Sequence, residues 1–134
     1  MSRQLPKLLR PLGFLLWSGW LVVWTVGLLR TEPISLREAV IPDGYAFVAS
    51  KSMHIIGYTF LASWPAFCFP KHWRWIAAGC LIHGITTEFL QPFCGRNGSV
   101  LDVGWDGIGI GLGVLFGRWA NGKNRKPESF SQRP

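Results

Sequence analysis

The sequence predicts an all-α fold: a polytopic membrane protein built as a compact bundle of about four transmembrane helices. Three observations carry this. Apolar residues make up 49% of the 134-residue chain and charged residues only 16%, against about 25% charged in ordinary soluble domains. The eight Trp and sixteen Gly are an enrichment typical of membrane interfaces and transmembrane helices. The apolar residues also gather into four segments of roughly membrane length, close to the ~20 residues that cross a bilayer at about 1.5 Å per residue.

The segments are 12–29, 53–69, 73–91 and 101–119. The first contains Trp17, Trp20 and Trp24. Arg3, Lys7 and Arg10 precede it, as in a signal peptide. Its apolar run is longer than the usual h-region and no small-x-small site follows, so it is expected to stay as a span. The second contains Pro65, which a neighbouring helix can accommodate. The third carries His83, Glu88 and Gln91, and the fourth carries Asp102, Asp106 and a Gly109-x-x-x-Gly113-x-x-x-Gly117 series. Small residues at that spacing let a second helix approach closely, so the three glycines are assigned to helix packing. Residues 1–11 are expected to be a short basic N-terminus and residues 120–134 a disordered basic tail.

Orientation follows from the Lys and Arg count. The two termini and the second connection carry ten (Arg3, Lys7, Arg10, Lys71, Arg74, Arg118, Lys123, Arg125, Lys126 and Arg133). The first and third connections carry four (Arg30, Arg37, Lys51 and Arg96). A multi-pass protein of the plasma (inner) membrane is expected, with both termini cytoplasmic. The net charge of +7 lies in short clusters flanking apolar runs. That argues against nucleic acid as a partner. Cys68, Cys80 and Cys94 have no metal-ligand spacing and read as two apolar fillers and one loop thiol.

In this layout the polar residues converge on the outer face. His54 begins the second span, with Lys51 three residues before it and Tyr58 four after; Glu88 and Gln91 end the third; Asp102 and Asp106 begin the fourth. The three- and four-residue spacings put each set on one helix face. Ionisable groups in spans face the bundle interior and pair. Glu88 with Arg96, and Lys51 with an aspartate, are the expected pairs. His83 lies about 140° from the Glu88 face and is expected to hydrogen-bond between helices.

The runs "KSMHIIGY" and "EFLQPFCGRNGSVLDVGWDGIGIGLG" resemble the VanZ-like family of small bacterial membrane proteins over roughly residues 46–118. The matching positions are Lys51, His54, Tyr58, Glu88, Gln91, Arg96, Asp102, Gly109 and Gly113. Ser50 replaces an acidic residue of that pattern and Asp106 an asparagine. The resemblance implies an integral membrane protein and no settled biochemical activity.

The cluster admits three roles. It can bind a cell-envelope or lipid-linked molecule through Lys51, Tyr58, Gln91, Arg96, Asp102 and Asp106. It can catalyse, with Glu88 or His54 as general base and Arg96 as anion clamp; Ser99 and Cys94 carry no nucleophile signature. It can also simply fix helix register. Binding is the reading adopted. A metal held by His54, Glu88, Asp102 and Asp106 is chemically feasible, but no compact ligand spacing marks one, and no metal or other cofactor is expected. The expected partners are membrane lipids and an envelope or lipid-linked small molecule. The glycine face could also serve a homo-oligomer.

Overall fold

A computed structural model describes residues 9–30 and 44–124. The described residues form four helices and no strands: α1 (Leu9–Leu29), α2 (Ala46–Cys68), α3 (Trp73–Leu90) and α4 (Val100–Asn124). Short 3₁₀ turns at Pro70–His72 and Gln91–Cys94 join α2 to α3 and follow α3. The second helix begins seven residues before the span drawn from sequence, so Lys51 lies inside it. The fourth runs on through Asn124. The remaining tail, like the start of the basic N-terminus, lies outside the described residues.

Among the described residues, two helices are long and apolar enough to cross a membrane, Pro11–Leu29 and Val100–Lys123. The expectation of four spans is thus met on length and apolarity at the first and fourth. The second and third carry the polar stripes that lower their apolarity.

The glycine series works within the chain. A Cβ built at Gly109, Gly113 or Gly117 would run into the backbone carbonyls of Ile55, Thr59 and Ser63 respectively. Three successive turns of α4 therefore lie directly on three successive turns of α2, a contact that only glycine permits. Thr59 Oγ1 adds a hydrogen bond to Gly109 O at 3.2 Å. This face is consequently occupied by α2 rather than left open to a second copy. The buried residues of α2 are His54, Gly57, Tyr58, Leu61, Ala62, Pro65 and Ala66. Their three- and four-residue spacing is that of a single helical stripe.

Tryptophans fasten α1 to α2. The Trp17 indole N–H donates to Leu61 O at 2.8 Å. That carbonyl stands four residues before Pro65, which has no N–H to give it. A neighbouring helix thus satisfies the acceptor freed by the proline, and α2 continues past Pro65. Trp20 donates to Gly57 O at 3.4 Å, and the Trp24 ring occupies the space a side chain at Gly57 would need. At the opposite end of the bundle from the polar stripes, Asn121 Nδ2 donates to Phe67 O at 2.7 Å, and Arg118 lies over the Trp73 ring.

Candidate functional site

The N-terminal end of α2, the C-terminal end of α3 and the N-terminal end of α4 meet at one end of the bundle. They bring together a buried polar layer of His54, Glu88, Gln91, Asp102 and Asp106. Each side chain arrives from the packed face of its helix. On α4 the buried positions are 102, 106, 109, 110, 113, 114 and 117, so Asp106 shares its face with the glycine series. The close approach of α4 to α2 carries Asp106 against His54. His54 Nδ1 and Asp106 Oδ1 are 2.7 Å apart, and Asp106 is fully buried, at 0% exposure.

Lys51 sits at the rim and pairs with Asp102; its ammonium also lies over the Phe47 ring. Asp102 Oδ2 is 3.8 Å from His54 Nε2. The imidazole therefore has a carboxylate at each nitrogen, one in contact and one just outside hydrogen-bond range.

Glu88 is engaged locally. Oε1 accepts from Gln91 Nε2 at 3.1 Å, and Oε2 accepts from the Ser99 backbone N–H at 2.7 Å. Ser99 immediately precedes α4, so this carboxylate sits at the helix N-terminus, where unpaired N–H groups and the helix dipole favour negative charge.

The expected Glu88–Arg96 pair does not form. Arg96 Nη1 instead donates to the carbonyls of Gly27 and Leu28 at 3.1 and 3.0 Å and to Arg30 O at 3.4 Å. These are the orphan acceptors that close α1, and a cation at a helix C-terminus is favourable there. The reason is competition: Ser99 and Gln91 already hold Glu88, while the end of α1 offers a cluster of unsatisfied carbonyls. Arg96 thus ties α1 to the loop.

A second hydrogen-bond chain runs deeper. Tyr58 OH meets His83 Nδ1 at 2.9 Å, and His83 Nε2 meets Thr25 Oγ1 at 2.9 Å. His83 therefore links α1, α2 and α3, as expected of an interhelical residue off the Glu88 face. Tyr58 is fully buried, which puts it beneath the cluster rather than at its rim.

Four contributors escape sequence reasoning. Trp24 stands edge-on to both His54 and Tyr58, at 6.4 and 6.2 Å between ring centroids. Thr25 completes the His83 chain, and Ser99 supplies a backbone N–H. Gly84 permits contact, since a Cβ there would lie 2.7 Å from Asp106 Oδ2 and 3.2 Å from Tyr58 OH. Only Gly84 leaves a readable signal, because it lies one turn before Glu88 on the same face.

Chemically, the described cluster holds three carboxylates against one lysine and one imidazole. His54, Glu88 and Asp106 each offer an atom within 4.8 Å of the others. Asp106 Oδ2 is buried without a hydrogen-bond partner among the described residues.

Over 59 residues the chain is 41% identical to "Uncharacterized membrane protein YwnJ" of Bacillus subtilis (strain 168). The matched stretch is 44% of this chain, and the chain covers 41% of that protein's length. No protein-family model matches, and no solved structure matches significantly.

Proposed function

We propose that the chain is a four-span, VanZ-like protein of the bacterial plasma membrane whose polar cluster, at the outer face, binds a cell-envelope or lipid-linked molecule. The observation that carries this reading is an inversion of burial. The cluster's polar side chains are buried, and each helix also exposes large apolar ones. Val22, Val23 and Val26 are exposed on α1; Phe47, Met53 and Phe60 on α2. Ile82, Ile85 and Phe89 are exposed on α3; Leu112, Leu115 and Phe116 on α4. Exposed apolar surface of this extent is costly in water and is what lipid accommodates, with polar groups turned into the bundle. At about 1.5 Å per residue, the 23 residues of α2 and the 18 of α3 reach about 35 and 27 Å, so α2 exceeds a hydrocarbon core of about 30 Å and α3 falls about 3 Å short, a mismatch that local bilayer thinning accommodates. The similarity to a Bacillus membrane protein and the order of the VanZ-like motifs support the same reading.

The ligand meets the cluster at Lys51 and Asp102, which keep side-chain exposures of 16% and 11% and supply one donor and one acceptor at the rim. A photoreactive residue at Val100, 89% exposed and next to this rim, tests the proposal. The expected result is a discrete crosslinked species that disappears in Lys51→Ala and is absent when the probe replaces Trp75 at the far end of α3. Capture of bulk lipid alone at both positions sinks it. The orientation is read by an impermeant maleimide on the exposed Cys94, in a Cys68→Ala, Cys80→Ala background. Labelling of intact cells is expected.

A catalytic reading draws on the His54–Asp106 contact, because a carboxylate on one imidazole nitrogen orients the other for proton transfer. It requires that His54→Ala or Glu88→Gln, inserted at parental levels, abolish the cellular phenotype.

A further inference from the structure

We infer that His54, Glu88 and Asp106 form a binding site for a divalent transition-metal cation of the Zn²⁺ or Mn²⁺ type. This goes beyond the binding of an envelope molecule and does not depend on it.

The first ground is donor chemistry. One imidazole and two carboxylates suit Zn²⁺ and Mn²⁺, and three protein ligands leave at least one coordination position open. The three come from three different helices, which is why no ligand spacing appears along the chain.

The second is geometry. Donors bound at about 2.0–2.2 Å to one ion stand about 3–4 Å apart. His54 Nδ1 and Asp106 Oδ1 are 2.7 Å apart in a hydrogen bond, which an entering ion replaces by opening the pair to coordination spacing. All three donors lie within 4.8 Å of one another, so they reach coordination spacing by shifts of about 1–2 Å, and Glu88 has room to contribute. It can do so while keeping its partners. Each carboxylate oxygen has two lone-pair sites, and the Gln91 and Ser99 bonds use one on each oxygen.

The third is the orphan acceptor. Asp106 Oδ2 is buried without a donor among the described residues, a costly condition for a neutral group and more so for a charged one. A cation held by both oxygens of the carboxylate would give Oδ2 the partner it lacks.

The fourth is charge. Lys51 neutralises Asp102, and Arg96 is committed to the carbonyls of α1. Glu88 and Asp106 are left with His54 as the nearest group able to carry positive charge. Metal binding takes its carboxylate ligands deprotonated, so Glu88 and Asp106 together match the charge of a divalent ion. Asp102, 3.8 Å from His54 Nε2, then orients the imidazole from the ring's other side.

The test uses the full chain in nanodiscs, stripped with a chelator and re-equilibrated with Zn²⁺ or Mn²⁺. About one ion per chain is expected by elemental analysis, with a melting temperature that rises with ion concentration. His54→Ala, Glu88→Gln and Asp106→Asn should each weaken binding at least tenfold, since even loss of an outer-sphere partner costs 10–100-fold. Cys94→Ser should leave binding unchanged. X-ray absorption on the Zn²⁺-loaded parent serves if a variant does not fold: a nitrogen/oxygen shell with imidazole scattering is expected. A sulfur shell, a stoichiometry far below one, or binding unchanged in all three variants overturns the assignment.

Discussion

Replacing Gly113 by alanine puts a methyl group onto the Thr59 carbonyl, 2.9 Å from the Ala62 Cβ and 3.1 Å from the Ser63 nitrogen. Carbon contacts are comfortable only from about 3.5 Å outward, and these neighbours are backbone or a Cβ that cannot rotate away. The α2–α4 interface must therefore part by roughly 1 Å, at the usual overpacking cost of about 1–3 kcal/mol. Two turns from that contact lie His54 and Asp106, so the same parting stretches the pair at the centre of the cluster. Gly111 is the internal control. It lies on the same helix, and a Cβ there meets nothing within 4 Å. Alanine at Gly111 should be neutral or gain up to about 1 kcal/mol from helix propensity. The two variants should thus differ by about 1–4 kcal/mol. Unfolding in mixed micelles of rising denaturing-detergent fraction reads this directly, with fluorescence of Trp17, Trp20 and Trp24 reporting the α1–α2 contact. Equal shifts for Gly111→Ala and Gly113→Ala, or a stabilised Gly113→Ala, would refute the reasoning that glycine at 113 is a steric requirement.

Lys51→Met removes the cation from a pair that is mostly buried and should destabilise by about 2–4 kcal/mol, because it leaves Asp102 unpaired. Lys51→Met with Asp102→Asn should recover a large part of that loss, and a double-mutant cycle with no coupling would show that the pair is not formed. Arg96→Ala releases three carbonyls at the end of α1. It should raise hydrogen exchange in the last turn of α1 and cost about 0.5–2 kcal/mol, whereas a loss confined to the Glu88 environment would restore the pairing expected from sequence.

Much of the architecture is legible in the sequence because it rests on local periodicity. Four apolar segments give four helices, and the largest boundary shifts are at the start of α2, where a polar stripe hides Ala46–Ser52, and at the end of α4, which runs on through Asn124. The glycine spacing identifies the packing face of α4, and the three- and four-residue spacings identify which polar residues share a face. Partner choice is different. Whether Glu88 takes Arg96 or Ser99 depends on which donor is nearer after the chain turns at Pro92–Gly98, and on the rival pull of the α1 carbonyls.

The sequence by itself therefore determined the helices, their buried faces and the level at which the polar residues meet, since these follow from residue type and a fixed helical period. Only the tertiary structure decided the pairs: Lys51 with Asp102, His54 with Asp106, Glu88 with Ser99, and Arg96 with the end of α1. Hydrogen bonds and ion pairs act over about 3 Å, far finer than any face assignment. The glycine-set approach of α4 to α2 fixes that last distance, and with it gathers His54, Glu88 and Asp106 from three helices into one possible coordination sphere.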